Sequence, residues 1–405
     1  MASDSLNFAT LSMEGNPSIA TDCFAEKRLP KGFLQGTHRT HSPEHLLSAL
    51  QGDLKQFGIT RVSRLTGLDR IGVEVFAAVR PNARGLSVAQ GKGCTREAAE
   101  LSGIMEAIEL SHAENPCVPL TFGTRDRTPF ALDRAVLDSL LGRPLGDASI
   151  FWSTGTNLSS GEPVAVPFDL VHTCFTDDAH VRGVKFPVST NGLASGASRT
   201  EALIHALCEV VERHDTAMLA RSFPEERTAR ILDLESVDDP VAARLLEQFK
   251  NADIAVRVWD ATGAIGIASC VAAIADLRDA AIPPGFGAGC HASRSVALCR
   301  ALTEAAQARL TRISGARDDL QVSQFGKAEG IRARWLTEPV EARQRSFAEL
   351  PDLSTDRLDS DLQMLVTAVD EAGHRPVVGV DLSDDPSFSV VRVIVPGLLG
   401  YEVAQ

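Results

Sequence analysis

Two pairs of glutamates, each spaced three residues apart, are the feature of this 405-residue sequence with the clearest chemical potential. Glu106 and Glu109 form one pair, and Glu209 and Glu212 form the other. Residues three apart share nearly one face of a helix, so each pair would place two carboxylates side by side among apolar neighbours. Such carboxylates repel each other, and one of each pair would take up a proton unless a cation joined them. Mg²⁺ is a suitable counter-charge, because it binds a few carboxylates together with substrate phosphates.

The pairs also stand at a fixed distance from glycine-rich segments. The same spacing separates Gly93 from Glu106 and Gly196 from Glu209. We expect each segment to be a turn that opens a helix, where backbone amides suit an anion. One glutamate pair alone is more often a solvated helix edge, but the repeated spacing favours a shared acidic site.

A third copy is partial. The glycine-rich segment 285–289 precedes a helix that carries Glu304, with Gln307 in place of the second glutamate. A di-iron carboxylate bundle would need Glu-x-x-His on two helices, and only Glu109 with His112 offers it. The sequence contains neither a P-loop nor a G-x-G-x-x-G fingerprint, so a nucleotide site here would be of another kind.

The elements that must position these helices recur in one order. Hydrophobic periodicity predicts a duplicated helix-strand-strand-turn-helix unit in an α/β (α+β) layer fold with one core. We assign residues 1–35 to a loose N-terminal extension and 36–405 to the folded domain. The predicted helices cover 43–57, 97–113, 200–219, 241–250, 296–313 and 358–369, and the predicted strands cover 59–65, 71–79, 254–259, 265–275, 377–382 and 388–395.

Composition excludes several classes of protein. Acidic residues outnumber basic ones by 53 to 40, and the resulting net charge of −13 makes nucleic acid or an anionic membrane an unsuitable partner. No apolar run approaches a membrane span, and the first residues lack the pattern of a signal peptide, so we expect a cytoplasmic protein. The eight cysteines include no C-x-x-C pair and are expected to be free.

Several of these motifs, taken in order, resemble those of the YcaO family over residues 36–398. Members of that family use ATP and Mg²⁺ to phosphorylate the oxygen of a peptide-bond amide, after which a nucleophile replaces that oxygen. A Cys, Ser or Thr side chain gives an azoline, and delivered sulfide gives a thioamide, commonly with a TfuA-like partner. The matching motifs are Gly91-Lys92-Gly93, Ser102-x3-Glu106-x2-Glu109, 190–196 with Glu201, Glu209-x2-Glu212-Arg213, and Arg300-x3-Glu304-x2-Gln307-x-Arg309.

The resemblance implies a role for each matched residue. The implied Mg²⁺ ligands are Glu106, Glu109, Glu201, Glu209 and Glu212. The implied ATP-binding residues are Arg39, Lys92, Ser102, Glu106, Glu201, Arg213, Arg300 and Arg309. The residues implied to act directly in phosphoryl transfer are Glu106, Glu209, Glu212 and Arg213. Phosphoryl transfer depends mainly on positioning and charge neutralisation, which such a set supplies.

Details of the sequence favour one branch of the family. Segments 36–39, 58–72 and 315–319 are similar to the branch associated with TfuA, and residues 395–405 contain one proline instead of a proline-rich tail. We therefore expect thioamide formation on a precursor peptide or protein with a TfuA-like sulfur-delivery partner, and the resemblance leaves a homodimer open. The alternatives are an azoline-forming cyclodehydratase and a nucleotide-binding scaffold without chemistry. The scaffold is suggested by three apolar residues where polar ones are expected: Leu46, Leu110 and Ala197.

Overall fold

The computed structural model describes residues 28–50, 52, 54–174, 184, 186–278, 282–317, 336, 340 and 343–400. Most of the predicted extension, residues 1–27, therefore lies outside the described residues. The α-helices of the described part are α1 (Pro43–Leu50), α2 (Arg96–Glu114), α3 (Arg134–Leu141), α4 (Arg199–Arg221), α5 (Pro224–Thr228), α6 (Pro240–Asn251), α7 (Arg294–Ser314) and α8 (Leu358–Glu371).

The strands alternate with these helices along the chain. They are β1 (Arg61–Arg64), β2 (Glu74–Val79), β3 (Val88–Gly93), β4 (Leu120–Gly123), β5 (Ile150–Asn157), β6 (Pro163–Pro167), β7 (Leu193–Gly196), β8 (Leu232–Asp233), β9 (Ile254–Asp260), β10 (Ala268–Asp276), β11 (Gly285–His291), β12 (Arg345–Ser346), β13 (Val378–Asp381) and β14 (Ser389–Ile394). This mixture of helix and sheet confirms the predicted fold class.

The strands form two antiparallel three-stranded sheets and one larger sheet. The smaller sheets have the orders β1-β2-β3 and β11-β10-β9. The larger sheet has the order β4-β5-β13-β14-β7, with β6 also paired to β5. A short parallel pair joins β12 to β8. The two small sheets are the structural counterparts of each other, as the repeated sequence order predicted.

The glycine-rich segments are mainly strands, so the prediction of turns was wrong for most of their length; Gly192 alone of these glycines lies in a turn, with φ of 73°, just before β7. The other glycines of the three segments lie in β3, β7 and β11, and each of these strands is followed within three residues by a helix. A Cβ atom on Gly91 would clash with the backbone of α2 at Gly103, and one on Gly287 would clash with the backbone of α7 at Ala305. The glycines therefore let each strand lie against its following helix at close range, a role that weak strand propensity conceals in the sequence. The repeat unit is thus helix, three strands and helix.

Side-chain caps fix the starts of the two glutamate-bearing helices. The hydroxyl of Thr95 accepts a hydrogen bond from Ala98 N–H at the start of α2, and the hydroxyl of Ser198 accepts one from Glu201 N–H at the start of α4. The buried apolar residues of the described part form four clusters instead of the single predicted core, and the two largest hold the helices in place. The larger lies between the six-stranded sheet and helices α2, α4 and α8, and the smaller lies between β9–β11 and helices α6 and α7.

The described end of the predicted extension contacts the domain. Leu29 N–H donates to Asp359 on α8, and Lys31 forms an ion pair of 2.6 Å with Asp361. Both side chains of that pair are almost fully buried. Residues 28–35 are therefore held by α8, whereas the domain boundary itself stays a prediction. None of the helices in the described residues has the length and apolar composition needed to cross a bilayer.

Candidate active site

Three helices bring their acidic residues to one partly buried cluster, in which Glu212 is the most buried member. Glu106 and Glu109 come from α2, Glu209 and Glu212 from α4, and Glu304 from α7. Three of the first four have a pKa raised in part by another acid in the group: Glu209 acts on Glu106, Glu109 and Glu212, Glu106 acts on Glu109, and Glu304 acts on Glu212. The cluster therefore joins the two predicted pairs with the partial third copy, and Glu304 is a member to which sequence reasoning gave no role.

Burial leaves this cluster with more negative charge than its surroundings neutralise. Loss of solvation raises the pKa of Glu106 to about 7, that of Glu109 to about 8 and that of Glu212 to about 7. The pKa of Glu209 is also raised by burial, although Arg213 opposes the shift. Carboxyls in this condition bind either protons or cations at neutral pH.

Neighbouring groups orient the carboxylates on α2 and α4. The hydroxyl of Ser195 on β7 donates to Glu109 at 2.6 Å. The backbone N–H of Cys290 on β11 donates to Glu212 at 3.0 Å. Strands β7 and β11 pack closely against the site helices at their glycines. They also supply hydrogen bonds to the carboxylates.

Two cations border the cluster. Lys92 on β3 donates to Glu304 at 2.5 Å, and its charge also opposes the raised pKa of Glu106 and Glu212. Burial disfavours ionisation of Glu304, but Lys92 and Arg300 outweigh it and lower the pKa of Glu304. Arg213 binds Glu209 through two nitrogens, the shorter contact being 2.7 Å. Both cations are positioned where a phosphate could replace their carboxylate partners.

Arg392 on β14 contributes a fully buried positive charge that sequence reasoning missed. Its guanidinium donates to the carbonyl of Asn191 at 2.8 Å and to the carbonyl of Ser189. The same charge opposes the raised pKa of Glu209. An arginine at an inward-facing position of an otherwise apolar strand is the signal that could have identified it.

Glu201 is held by hydrogen bonds from the segment before α1 and from the start of α4. The backbone N–H and hydroxyl of Thr40 both donate to its Oε1, the hydroxyl at 2.6 Å, and Ala197 N–H donates to Oε2 at 3.1 Å. Arg39 lies 3.6 Å from the same oxygen. The structure therefore brings the predicted residues Arg39 and Glu201 together, with the loop before α1 closing over the carboxylate.

Arg300 on α7 contacts His205 on α4. Its Nη1 lies 2.9 Å from His205 Nε2. Burial and the nearby arginines lower the pKa of His205 well below its usual range, so the ring is neutral. His205 lies on α4 one turn from Glu201 and one turn from Glu209.

Ser102 and Arg309, the two remaining predicted ATP-binding residues, lie in different positions relative to the acidic cluster. Ser102 is half-buried one turn before Glu106 on α2. Arg309, by contrast, donates to Asp276 at 2.8 Å and lies 3.4 Å from Asp69, with almost no exposed surface. Five positions beyond Glu304 on a helix correspond to a rotation of roughly 140°, which turns Arg309 away from the acid face. The expectation that Arg309 binds phosphate is therefore corrected to a structural ion pair.

The carboxylate oxygens of the acidic cluster suit Mg²⁺ in both their charge and their chemical type. Hard carboxylate oxygens with unneutralised charge are what this cation binds. Among the residues that the structure describes, no three donors already converge on one point as metal ligands. Instead Lys92, Arg213 and Ser195 hold individual carboxylates, and these partners would be exchanged for metal and phosphate.

The family-model comparison identifies the fold's relatives. The model described as YcaO cyclodehydratase, ATP- and Mg²⁺-binding, matches residues 90–399. The chain belongs to the YcaO family. The resemblance stated from the motifs is thereby confirmed, and ATP and Mg²⁺ are the cofactors of its family.

Individual relatives support this assignment. An uncharacterized protein of Methanothermobacter thermautotrophicus is 36% identical over 373 residues, covering 89% of this chain and 95% of that protein. An uncharacterized protein in the tfuA 3′ region of Rhizobium leguminosarum bv. trifolii is 33% identical over 387 residues, covering 92% of this chain and 91% of that protein.

Solved structures share the architecture. YcaO from Methanopyrus kandleri, bound with AMPPCP and Mg²⁺, aligns with a TM-score of 0.71 at 25% identity, covering 91% of this chain and 94% of that chain. A heterocyclase in complex with substrate and cofactor aligns with a TM-score of 0.73 at 20% identity, and this chain spans 54% of its length. The description of the family supports an ATP- and Mg²⁺-binding enzyme of the cyclodehydratase type, and the solved structures show the shared fold.

Proposed function

We propose that this chain uses ATP and Mg²⁺ to phosphorylate the oxygen of a backbone amide in a ribosomally made peptide or protein, and that sulfide then replaces that oxygen to give a thioamide. The observation that carries the proposal is the acidic cluster, in which the pKa of Glu106 and that of Glu212 are raised to about 7 and that of Glu109 to about 8. Carboxyls in this condition take up either protons or a cation at neutral pH, and their hard oxygen atoms suit Mg²⁺.

The acidic side chains would bind the metal, and some of them would act in phosphoryl transfer. Glu106, Glu109, Glu209 and Glu212, joined by Glu304, would hold Mg²⁺, which when bound neutralises phosphate charge. The further ligand expected at Glu201 would first have to exchange its contacts with Thr40. We assign Glu106, Glu209, Glu212 and Arg213 the direct role in phosphoryl transfer, because they match the acidic motifs and the following arginine of the YcaO family.

The cations around the cluster would bind the polyphosphate. Lys92 would leave Glu304, and Arg213 would leave Glu209, once metal neutralises those carboxylates. Arg300 and Arg39 lie on the α4 side near Glu201, and Ser102 lies one turn from Glu106. Cations fixed before the reaction stabilise developing phosphate charge without reorganisation.

The thioamide product and a TfuA-like partner are supported by the relative in the tfuA 3′ region. The cyclodehydratase description of the family and the heterocyclase neighbour favour an azoline product as the second candidate. A homodimer stays a prediction.

Product mass separates these reactions. Purified protein is incubated with ATP, Mg²⁺, sulfide, a TfuA-like protein and a peptide encoded beside this gene. We expect a mass gain equal to replacement of one oxygen by sulfur, together with ATP consumption. Loss of one water would select the azoline reaction, and tight nucleotide binding with no turnover on any neighbouring peptide would select the scaffold.

The structure shows where the three apolar residues that suggested a scaffold lie. Leu46 is buried in the larger core, and Leu110 and Ala197 pack against it. They remove polar contacts from the edge of the site but leave every carboxylate of the acidic cluster in place. This arrangement favours an active enzyme over a scaffold.

A further inference from the structure

One edge of the sheet formed by β9, β10 and β11 is open beside the acidic cluster. β11 is the end strand of this sheet, and it pairs with β10 and with no other strand of the described part. Its glycine face lies against α7, where a Cβ atom on Gly285, Gly287 or Gly289 would clash with the helix backbone. The edge of β11 that faces away from β10 is therefore fixed against one of the three helices that carry the acidic residues.

The hydrogen bonds of β11 show which of its backbone groups point out of the sheet. The N–H of Ala288 donates to Glu304 at 3.4 Å. The N–H of Cys290 donates to Glu212 at 3.0 Å. Both residues thus direct their backbone groups away from β10. Because alternate residues of a strand direct these groups to the same side, the N–H and the carbonyl of Phe286 also face outward.

Phe286 leaves both of these groups open. Within the described ranges, no residue forms a hydrogen bond with its N–H or its carbonyl, and the residue is 49% exposed. Two positions earlier, the carbonyl of Pro284 already accepts from Arg312 at 3.1 Å, and proline has no N–H. The open edge is therefore short and consists of the two groups of Phe286 and the carbonyl of Ala288.

An open edge of this kind suits an extended peptide. Unpaired N–H and carbonyl groups of an edge strand are a template for another strand, and proteins often protect exposed edges with charged residues. β11 (Gly285–His291) carries no lysine, arginine or acidic residue. Main-chain hydrogen bonds recognise a peptide backbone whatever its side chains, and backbone recognition is what an enzyme that modifies a backbone amide needs.

A small residue on α7 leaves the edge uncovered. Glu304, Ala308 and Arg312 are spaced four apart and share one side of the helix. The first and third bond to the β11 backbone two residues to either side of Phe286. Four helix residues rise about 6 Å and two strand residues about 6.7 Å, so Ala308 lies opposite Phe286. A methyl side chain there does not reach the open backbone groups.

We propose that the edge of β11 at Phe286 and Ala288 binds the substrate peptide as an added antiparallel strand, an assignment that rests on the peptide-activating function proposed above. The peptide residue opposite Phe286 exchanges two hydrogen bonds with it. The residue two positions earlier in the peptide then lies opposite Ala288, and its carbonyl points at the N–H that now donates to Glu304. The added strand thereby directs one peptide carbonyl to the acidic cluster.

Methylation of the peptide backbone tests the pairing without altering the protein. The probe is a synthetic copy of the peptide encoded beside this gene, in which mass spectrometry has located the modified residue. One copy is N-methylated two residues after the modified residue, at the amide that would donate to Phe286. The matched copy is N-methylated three residues after it, at an amide that points away from β11. Calorimetry with Mg²⁺ and a non-hydrolysable ATP analogue should find about tenfold weaker binding for the first copy and unchanged binding for the second.

Two variants test the same contact from the side of the protein. Phe286→Pro removes the outward N–H and leaves the β10–β11 ladder intact, whereas Phe286→Ala keeps that N–H and removes only the ring. Thermal unfolding, together with affinity for the ATP analogue alone, checks that both variants fold. We expect the KM for peptide to be about tenfold higher in Phe286→Pro than in Phe286→Ala.

Equal peptide KM values in the two folded variants, or equal affinities of the two methylated peptides, would overturn the assignment. A wild-type dimer that Phe286→Pro converts to a monomer would also contradict it, because a second copy of the chain would then occupy the edge. Failure of the proposed function is seen separately, as no ATP consumption and no mass change when the wild-type protein meets the unmethylated peptide, and that result would remove both proposals.

Discussion

Glu109→Gln should make the metal-free protein more stable at neutral pH while abolishing its chemistry. Glu109 is partly buried, and its pKa is raised from 4.5 to about 8 by loss of solvation and by Glu106 and Glu209, against the hydrogen bond from Ser195. Glutamine keeps the shape and can still accept from the Ser195 hydroxyl. It removes the ionisable group.

The raised pKa of Glu109 determines how the free energy of unfolding changes with pH. Above pH 4.5 the unfolded chain releases the proton of Glu109, whereas the folded chain retains it up to about pH 8. The folded state thus binds more protons, and the free energy of unfolding falls as pH rises through this interval. At 1.36 kcal/mol per pH unit, the cost at pH 7 is about 3 kcal/mol.

The assay is urea unfolding in EDTA between pH 5 and 8.5. We expect Glu109→Gln to be more stable than wild type by about 3 kcal/mol at pH 7 and to show a shallower decline with pH. The matched control is Glu100→Gln, two and a half turns earlier on α2 and so on the opposite face of the helix. If Glu109→Gln and Glu100→Gln behave alike, Glu109 is not an uncompensated buried carboxyl and the electrostatic account of the cluster is wrong.

Three further changes test separate parts of the structure. Lys92→Met removes the counter-charge of Glu304 and should lower ATP turnover, measured by phosphate release, about a hundredfold with the fold retained. Turnover equal to that of the wild type would show that Lys92 does not bind the phosphates. Gly287→Ala places a methyl group against the α7 backbone and should cost about 1–3 kcal/mol in urea unfolding, and an unchanged midpoint would contradict the close packing of β11 on α7. Arg309→Met leaves Asp276 buried without one of its cations and should lower the free energy of unfolding by about 3–5 kcal/mol. Calorimetry at low temperature should find the nucleotide affinity unchanged. A large loss of affinity in the folded variant would show that Arg309 binds the phosphates.

The helices that carry the acidic residues could be predicted from the sequence because their apolar residues repeat at the helical period. The predicted helix 97–113 corresponds to α2 at Arg96–Glu114, and 296–313 corresponds to α7 at Arg294–Ser314. The glycine strands could not be predicted in the same way. Glycine is read locally as a turn, and only the nearby helix backbone shows why residues such as Gly91 must lack a side chain.

The segment between the first two site helices yielded no prediction. β4, α3, β5 and β6 lie there, and β5 is central to the large sheet. Its pairing partner β13 is more than two hundred residues away in sequence, so no local pattern reveals the contact. Short strands defined by such distant partners are set by tertiary packing more than by propensity.

For the site, spacing predicted which acids share a helix face, and three-dimensional packing decided the rest. Glu304 joins the cluster because α7 packs beside β3, where Lys92 reaches it. Glu201 is covered by Thr40, a residue 161 positions away. Arg309 matched the family motif, yet helix rotation places it in a different ion pair. A motif therefore identifies positions on the chain, and the fold determines which of them face the chemistry.

The most direct test of the central claim is the Mg²⁺ dependence of nucleotide binding, measured by calorimetry with a non-hydrolysable ATP analogue. The wild-type protein and Glu100→Gln should bind the analogue with Mg²⁺ and lose most of that affinity in EDTA. Glu106→Gln and Glu209→Gln should fold normally and lose the Mg²⁺-dependent part of the binding. Equal affinity in all four proteins, with or without Mg²⁺, would show that the acidic cluster does not hold the metal and phosphates.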